Sequence, residues 1–445
     1  MSSSNNPPSI RLIAFASLIG TTIEWYDFFL YGTAAALVLN KLFFPTFDPI
    51  SGTLAALATY SVGFVARPVG GVVIGHYGDR IGRKSMLVLT LVLMGLATFL
   101  IGLLPTYAVI GPLAPALLVF LRFAQGFGVG GEWGGAVLMA VEHAPPGKRG
   151  FYGSWPQIGV PAGLLIANFV YRPLSRMPQD AFLAWGWRVP FILSIVLVAV
   201  GLVIRIRILE TPAFTRMKET KQESRQPILE VLKRYPKEVL LAMGARLAEN
   251  GAFYLYTVFV LVYATQHVHM DASIVLGALI LAAAVELAAI PMYGALTDRI
   301  GRRPVYLWGG IMTALLAYPT FRMIDTASPW MVRLSLLLAL SLSHAAMYAP
   351  QGAFFSELFG THVRYSGASL GAQLSSVLAG GLSPLIATSL LQHGFGRGAL
   401  SLYLIGMAVI TIVAVLVATE TMHHDLGAET QEAQTQHKQR KMTPA

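Results

Sequence analysis

Long apolar runs alternate with short polar segments along nearly the whole chain. A helix rises about 1.5 Å per residue, so about 20 consecutive apolar residues cross the hydrocarbon core of a bilayer. The runs are too long for membrane strands and do not alternate with a period of two. Twelve runs qualify, at residues 11–39, 52–77, 85–104, 110–142, 150–171, 186–207, 239–266, 272–296, 304–322, 330–356, 365–391 and 399–419. The pattern therefore predicts an all-α membrane protein with twelve transmembrane helices.

The longest polar stretch divides these runs six and six. It covers residues 208–238, is rich in Lys, Glu, Gln and Arg, and favours a surface helix around Pro227 to Tyr235. The last residues are polar and carry no apolar heptads, which predicts a flexible tail rather than a coiled coil. We predict an N-terminal half at 1–207, a linker at 208–238, a C-terminal half at 239–420 and a tail at 421–445.

Composition and charge agree with a lipid-facing surface. Of the 445 residues, 55% are apolar and only 12% are charged, about half the charged fraction of soluble domains. The net charge is +10, and 22 of the 32 Lys and Arg residues fall on one side if the N-terminus is inside. By the positive-inside rule both termini are predicted to be cytoplasmic, and the basic charge implies membrane orientation rather than nucleic acid.

The ends of the chain and its residue types exclude several other classes. The segment from Met1 to Ile10 lacks the basic region and cleavage site of a secretory signal, so the first run is predicted to be retained. Cysteine is absent, which excludes disulfides and thiolate metal sites. No Walker loop or other soluble-enzyme motif occurs, so we predict neither an enzyme nor an ATP-driven pump.

One charged loop occurs twice. The sequence from Gly75 to Lys84 matches that from Gly294 to Arg303, with Asp79 and Asp298 equivalent at an offset of 219. Two further matches in the same order are Glu142 and Arg149 with Glu357 and Arg364, and Glu24–Tyr31 with Glu249–Tyr256. Three matches at nearly constant offset indicate two six-helix halves related by duplication, with their symmetry axis along the membrane normal.

These motifs closely resemble the major facilitator superfamily and, within it, the metabolite:proton symporter family. The repeated Gly-x-x-x-Asp-Arg-x-Gly-Arg loop is similar to the superfamily's hallmark. The stretches Arg122–Trp133, Glu24–Tyr31 and Leu209–Pro212 resemble the family's motifs in spans four, one and six. The resemblance covers residues 10–420 and implies the major facilitator fold in the bacterial inner membrane.

The same resemblance implies what is transported and how. It implies uptake driven by the proton gradient, without a cofactor, of substrates such as shikimate, dicarboxylates, citrate, proline or betaine. Family members that sense osmolarity carry a long C-terminal coiled coil, which this tail lacks. The expected partners are a small-molecule substrate, protons and lipid, with no nucleic acid, and the chain is expected to be monomeric.

Charged residues inside spans are costly and indicate function. Glu24, Asp27 and Tyr31 are spaced i, i+3, i+7 and share one face of the first span. Two neighbouring carboxylates in a poorly hydrated cavity suit the uptake and release of a proton. We predict Asp27, with Glu24, as the proton-coupling site; the alternative is that one carboxylate is the structural partner of an arginine.

Arg122 is the predicted substrate cation. Its guanidinium suits a carboxylate substrate, and Gln125 and Trp133 lie on the same helix face. Alternatively it pairs with Asp27 and modulates the proton site, and both roles are compatible in succession. The glycines that follow it, Gly126, Gly128, Gly130 and Gly131, indicate close helix packing rather than phosphate binding.

The remaining candidates are less specific. Arg246 and Glu249 are three residues apart and predict an ion pair, with Tyr254 and Tyr256 as hydroxyl donors from the C-terminal half. Trp155, Gln157 and Gln373 occupy matching spans of the two halves and are predicted to line the cavity or to bond between helices. Arg67 is interpreted as a gating or structural residue, and Glu132 as facing either the cavity or a neighbouring helix. Glu286 is interpreted as a lone carboxylate. The histidines, including His344, are interpreted as surface or tail residues.

The repeated loops predict a cytoplasmic gate. Asp79 and Asp298 can cap a neighbouring helix N-terminus, where the macrodipole favours an anion. Arg83 and Arg302 can reach Glu142 and Glu357 at the ends of spans four and ten; the alternative is that the loops carry only topogenic charge. The predicted gating residues are Asp79, Arg80, Arg83, Glu142, Arg149, Asp298, Arg299, Arg302, Glu357 and Arg364.

The sequence therefore predicts a proton-coupled symporter of a small polar metabolite that works by alternating access, with an organic acid as the favoured substrate. Two alternatives stay open within the superfamily: an osmolyte symporter for proline or betaine, and an exporter or drug antiporter. A membrane sensor without transport is a third possibility, but it requires a soluble output domain for which this sequence offers no segment.

Overall fold

The computed structural model describes residues 10–81, 83–130, 132–207, 227–359 and 364–423. Within these ranges it is helical, with twelve long segments that match the predicted order. In the first half, spans one to six are Ile10–Ala34 with Ala35–Leu39 and Asn40–Phe43; Pro49–Ile81; Arg83–Leu103; Leu113–Val129 with Trp133–Glu142; Arg149–Gly153 with Trp155–Leu174; and Gln179–Ala181 with Phe182–Gly186 and Arg188–Arg207.

The second half repeats this arrangement. Spans seven to twelve are Pro236–Tyr254 with Leu255–Phe259, Val260–Val262 and Tyr263–His267; Ala272–Ile300; Arg302–Ile324; Pro329–Leu338 with Ala339–His344 and Ala345–Leu358; Arg364–Ser375 with Ser376–Gly381 and Leu382–Gln392; and Gly396–Val417. Short helices at Tyr107–Ile110 and Pro227–Arg234 lie between spans. By length and composition, eight helices among the described residues can cross a membrane, and Val88–Leu103 is a shorter apolar helix.

Glycines allow spans two and four to touch through their backbones. A Cβ on Gly126 would stand 2.0 Å from the Gly63 carbonyl oxygen, and one on Gly130 would stand 1.9 Å from the Arg67 carbonyl oxygen. Real Cβ atoms do not approach so closely, so only glycine fits at both points. The close packing predicted for the glycines of span four is present at these two positions, whereas Gly131 lies outside the described residues.

Contacts between several pairs of spans bring the halves together. Span five packs along span eight, span two along span eleven, and the second segment of span four against spans ten and eleven. Span one packs mainly on span five, which places its Glu24–Tyr31 face inside the N-terminal half and next to span seven. Buried aromatic and charged side chains therefore collect between the halves, where the candidate site lies.

Candidate functional site

Arg122 is fully buried and lies on three aromatic rings. Its guanidinium carbon is 4.1 Å from the ring centre of Phe28, 4.4 Å from that of Tyr31 and 4.8 Å from that of Tyr60. A desolvated cation over an aromatic face gains about 2 kcal/mol or more. The rings thus hold the cation in place without neutralising it.

The hydrogen bonds of Arg122 leave one side of its fork unused. Nη1 donates to the side-chain oxygen of Gln125, and Nε donates to the Tyr60 carbonyl at 3.4 Å. Gln125 in turn donates to Thr98 at 2.7 Å, which fixes the amide. Nη2 has no hydrogen-bond partner among the described residues. Gln125 therefore orients Arg122, and one donor of the guanidinium is left without a partner among the described residues.

A second buried arginine shares the Phe28 ring. The guanidinium carbon of Arg67 is 4.3 Å from the Phe28 ring centre, 4.6 Å from that of Phe64 and 5.5 Å from that of Trp25. Its Nε and Nη2 atoms have no hydrogen-bond partner among the described residues. The gating or structural role predicted for Arg67 remains untested, but its position beside Arg122 makes a pair of cations around one ring.

Asp27 is buried on the same span as Phe28 and Tyr31. Neither of its carboxylate oxygens accepts a hydrogen bond from the described residues, and no ion pair joins it to Arg122. The predicted alternative of an Asp27–Arg122 pair is therefore not realised in this conformation. Glu24 is also buried, one helical turn earlier. At Asp27, a buried carboxylate without donors among the described residues is costly when ionised, which suits a group that carries a proton.

Residues on spans one, four and five link this cluster to the second half. The Tyr31 hydroxyl is hydrogen-bonded to Thr59, and the Trp133 indole donates to Gln157 at 3.3 Å. Gln157 itself donates to the Tyr348 carbonyl at 3.2 Å, across the interface between the halves. Gln157 thus bonds between helices, one of the two roles predicted for it.

Span seven contributes Tyr254 but not Tyr256 to the shared aromatic cluster. Tyr254 packs against Phe64 with ring centres 5.0 Å apart, and its hydroxyl has no hydrogen-bond partner among the described residues. Tyr256 is two residues further, roughly opposite on the helix, and packs against Phe321 of span nine. The structure therefore brings only the first of the two predicted hydroxyls to the space between the halves.

The other two cavity candidates are less directly placed. Gln373 is buried in span eleven, whose Ser376 accepts a hydrogen bond from Asn250 at 2.9 Å. Trp155 is half-buried near the start of span five and packs against Phe151, with ring centres 6.0 Å apart. Glu132 is buried beside Trp133 in span four. None of these three positions is assigned to substrate by a contact that the structure shows.

The C-terminal half contains a hydrogen-bonded chain of acids around His344. Its Nε2 is 3.0 Å from Glu249 Oε1, and its Nδ1 bonds to Glu286 Oε1. The other oxygen of Glu249 accepts from Gln351 at 2.8 Å and lies 3.6 Å from Arg246 Nε. The predicted Arg246–Glu249 ion pair is therefore present, and it forms one end of a longer chain.

Two predictions about this region are wrong. His344 was expected at the surface or in the tail, but its side chain is only 1% exposed, between two carboxylates. Glu286 was expected to be a lone carboxylate, but it bonds to His344. The one sequence signal available was the helical spacing of His344, Tyr348 and Gln351, which places all three on one face of span ten.

At the end of the molecule that carries the repeated loops, Asp298 joins the halves. Its Oδ1 and Oδ2 accept the backbone N–H groups of Gly150 and Phe151, each at 2.8 Å, at the start of span five. Arg302 donates to Asp298 at 2.8 Å and to Glu357 at 3.2 Å. The predicted helix cap and the predicted Arg302–Glu357 contact are thus both present, and we call Asp298, Arg302 and Glu357 the C-terminal latch.

For the N-terminal copy of the loop, only the predicted partners of its charged residues can be located. The side chains of Asp79, Arg80 and Arg83 lie outside the described residues. Glu142, which was predicted to meet Arg83, lies 3.6 Å from Arg364 of the other half. Of the remaining predicted gating residues, Arg299 is exposed and Arg149 is half-buried at the start of span five.

The opposite end of the molecule is also closed by contacts between the halves. Arg172 donates to the Ser273 carbonyl at 3.3 Å, and Arg176 donates to the Ser273 hydroxyl at 2.7 Å. Gln266 donates to Thr53 at 3.1 Å. With the C-terminal latch formed as well, this conformation is held together at both ends around the buried clusters.

Curated relatives align along almost the whole chain. The inner membrane metabolite transport protein YhjE of Escherichia coli is 43% identical over 420 residues, covering 93% of this chain and 95% of the relative. The shikimate transporter of Escherichia coli is 42% identical, covering 92% and 95%. The glycine betaine/proline/ectoine/pipecolic acid transporter OusA of Dickeya dadantii is 36% identical, covering 95% and 85%.

Solved structures show the fold. The proton:xylose symporter XylE bound to 6-bromo-6-deoxy-D-glucose superposes with a TM-score of 0.70 at 16% identity, covering 93% of this chain and 96% of that one. A partially occluded inward open conformation of the Escherichia coli xylose transporter XylE gives the same TM-score at 18% identity, covering 94% and 99%.

Buried charged clusters between two six-helix sets define a membrane transport protein rather than an enzyme. Family models for "Sugar (and other) transporter" and "Major Facilitator Superfamily" match residues 12–243 and 252–442. The chain belongs to the major facilitator superfamily, in its metabolite:proton symporter family. The predicted fold class, family and transport activity are confirmed, and the relatives include an inner-membrane transporter.

Proposed function

We propose that the chain takes up a small organic acid together with protons, across the inner membrane and with both termini in the cytoplasm. The observation that carries the proposal is the pair of buried guanidiniums around Phe28. Arg122 and Arg67 retain donors without partners among the described residues, and neither forms an ion pair there. A guanidinium in a poorly hydrated site binds a carboxylate with two parallel hydrogen bonds.

Hydroxyl groups near these cations suit a hydroxylated acid. The hydroxyls of Tyr60, Tyr254 and Tyr348 are buried and lack hydrogen-bond partners among the described residues. Buried polar groups are normally paired, so a substrate with several hydroxyl or carboxyl groups would satisfy them. A relative of 42% identity is named as a shikimate transporter. Shikimate is an acid with several hydroxyl groups, so it has the chemistry that these groups would bind.

The osmolyte alternative is less well supported by the aromatic cluster. A quaternary ammonium such as that of betaine binds by cation–π contact with aromatic faces. Here Arg67 and Arg122 already occupy the faces of Phe28, Phe64 and Tyr60. A betaine carrier would need those faces free, so we place organic acids first.

In the proposed cycle, Asp27 takes up the coupling proton, with Glu24 beside it. Protonation removes the free-energy cost of a buried carboxylate that accepts no hydrogen bond. An acid substrate then bridges Arg122 and the residues of span seven. The C-terminal latch and the Arg172 and Arg176 contacts at the opposite end open alternately as the halves rock. Tyr31, Gln125, Trp133 and Glu249 support the site from the two sides.

The test is uptake into proteoliposomes with an imposed pH gradient, using labelled shikimate, succinate, citrate, proline and glycine betaine. We expect one or more acids to accumulate and the zwitterions to remain near equilibrium. In Asp27→Asn, gradient-driven accumulation should be lost while counterflow of the same acid persists. Full accumulation by Asp27→Asn would refute the coupling role, and accumulation of betaine alone would refute the choice of substrate class.

A further inference from the structure

Three side chains from three different spans form a continuous chain around one imidazole. Glu249 comes from span seven, Glu286 from span eight, and His344 from the end of the π-helical stretch Ala339–His344 in span ten. All three are at most 4% exposed. We call them the His344 triad.

Counting hydrogens shows what the triad must contain. Each of its two contacts joins a carboxylate oxygen to a ring nitrogen, and each such contact requires one hydrogen between the two atoms. The triad therefore holds two protons, whether both are on the imidazole or one is on a carboxyl group. Losing either proton leaves two bare lone pairs facing each other and breaks the connection between two spans.

The surroundings set the charge of the triad. With two protons its net charge is −1, and Arg246, 3.6 Å from Glu249, balances it. The other ionisable groups that face it are Tyr306, which accepts from the same Gln351 amide as Glu249, and Tyr348, whose ring stacks on His344 at 5.0 Å. Tyr254 and Glu24 lie further along the same interface, within electrostatic range of Tyr348. The second oxygen of Glu286 has no hydrogen-bond partner among the described residues, so it can accept a further proton.

The triad is also coupled to the interface that moves during transport. The guanidinium of Arg246 lies 4.9 Å from the ring centre of Trp133 in the first half, and Gln157 of that half bonds to the Tyr348 backbone. A separation of the halves would remove Trp133 from Arg246 and would admit water to Glu249. The charge balance of the triad therefore depends on the conformation of the carrier.

We propose that the His344 triad is a second proton-carrying site, which binds a proton when open to one side and releases it to the other. A hydronium ion gives the proton to the second carboxylate oxygen of Glu286 and leaves as water; the reverse transfer, from Glu286 to water, completes the cycle. The triad thus adds one proton to the one carried at Asp27. This inference rests on the proposed symport function.

The first test measures the number of protons carried with each substrate. With the membrane potential clamped at zero, a carrier that moves n protons accumulates substrate about 10ⁿ-fold for each unit of pH gradient, since each proton contributes a factor of ten. Using labelled shikimate, we expect about hundredfold accumulation by the wild type. His344→Gln and Glu286→Gln should each reach only about tenfold.

The matched control is His393→Gln, which removes an exposed histidine remote from the triad. It should accumulate shikimate as the wild type does. Equal accumulation ratios in the wild type, His344→Gln and Glu286→Gln would overturn the proposal. Counterflow in each variant verifies that the folded carrier is being compared.

A second test does not depend on the substrate. Infrared difference spectra of the lipid-reconstituted protein, recorded between acidic and alkaline buffer, report protonated carboxyl groups directly. We expect a carboxylic acid band that is lost in Glu286→Gln, shifted in His344→Gln and unchanged in His393→Gln. Identical spectra for the wild type and Glu286→Gln would overturn the proposal. If no acid in the uptake panel were transported, the proposed function would be rejected, but the spectra would still test whether the triad binds a proton.

Discussion

The cluster around Arg122 and the cluster around His344 satisfy their buried charges by different means. Around Arg122 the cations rest on aromatic faces and keep free donors, while Asp27 accepts no hydrogen bond from the described residues. Around His344 both ring nitrogens and three of the four carboxylate oxygens of Glu249 and Glu286 meet a hydrogen-bond partner within the chain. A duplicated framework thus supports an N-terminal cluster ready for an external anion and a C-terminal cluster that internally holds protons.

The largest expected effect comes from Arg122→Lys. Lysine keeps the charge but loses the planar fork that reaches Gln125, the Tyr60 carbonyl and a substrate carboxylate together. Loss of one strong charged hydrogen bond to substrate costs about 3 kcal/mol, so kcat/KM for uptake should fall by about 100-fold.

Arg333→Lys is the matched control, because Arg333 lies over the ring of the exposed Trp330, at 5.8 Å, away from both clusters. It should transport normally. Wild-type uptake by Arg122→Lys would show that the N-terminal cluster provides only positive charge, which would weaken the contrast between the halves.

Arg67→Lys should have a smaller effect on the same cluster. Arg67 contacts rings but does not share the Gln125 hydrogen bond, so its replacement weakens cation–π contacts and one possible substrate contact. We expect about a tenfold loss of kcat/KM, equivalent to about 1.4 kcal/mol. Competition assays with unlabelled acid separate a change in KM from a change in kcat. An effect as large as that of Arg122→Lys would mean that the two arginines act as one unit.

The repeated loops extend the comparison to the end that carries them. Asp298→Asn removes the negative charge from the start of span five, where it offsets the helix dipole and pairs with Arg302. The loss of about 1 kcal/mol should shift the closed-to-open equilibrium about fivefold toward the open form.

This shift can be measured because the chain has no cysteine of its own. A single Ser356→Cys reporter, buried beside Glu357, should react about fivefold faster with a water-soluble maleimide when Asp298→Asn is present. Asp180→Asn, at an exposed position, is the control. An unchanged rate would show that Asp298 does not hold this end closed.

The smallest effect is expected at Glu420, which lies beyond span twelve. Its oxygens accept the backbone N–H groups of Arg302 at 2.9 Å and Arg303 at 3.0 Å, at the start of span nine. Burial alone raises the pKa of Glu420, but these two hydrogen bonds and those from the backbone of Met422 and Thr421 lower it by a larger amount. The pKa of Glu420 therefore lies below the ordinary 4.5. Its stabilising contribution is therefore present at neutral pH and is lost as the pH falls through the lowered pKa.

Glu420→Ala should accordingly lower Tm by about 1 °C at neutral pH, in line with a capping loss of about 1 kcal/mol. The difference from the wild type should disappear in acid, and Glu420→Gln should be intermediate at neutral pH. Thermal unfolding in detergent at several pH values measures this. A difference that persists in acid would mean that the carboxylate charge is not what stabilises the start of span nine.

The sequence predicted these features unevenly, for physical reasons. Short stretches of sequence were enough to predict some features. Hydropathy predicted the spans, and the internal repeat predicted the Asp298 cap and the Arg302–Glu357 contact. The Arg246–Glu249 pair was predictable because both residues lie one turn apart on the same helix. The His344 triad was not, because Glu286 is 58 residues from His344 and helix periodicity does not specify which faces of different spans meet.

The way Asp298 holds the halves together has a consequence for how the sequence can drift. Its two oxygens bind main-chain N–H groups, which every amino acid except proline supplies, so Phe151 can change without loss of the contact. Gly150 is limited by size instead, because a Cβ there would stand 2.1 Å from the Thr297 hydroxyl oxygen. In related chains, variation should therefore be broad at position 151, narrow at 150 and nearly absent at 298, so that the second half must keep a particular carboxylate while the first half must keep only a small residue at one position.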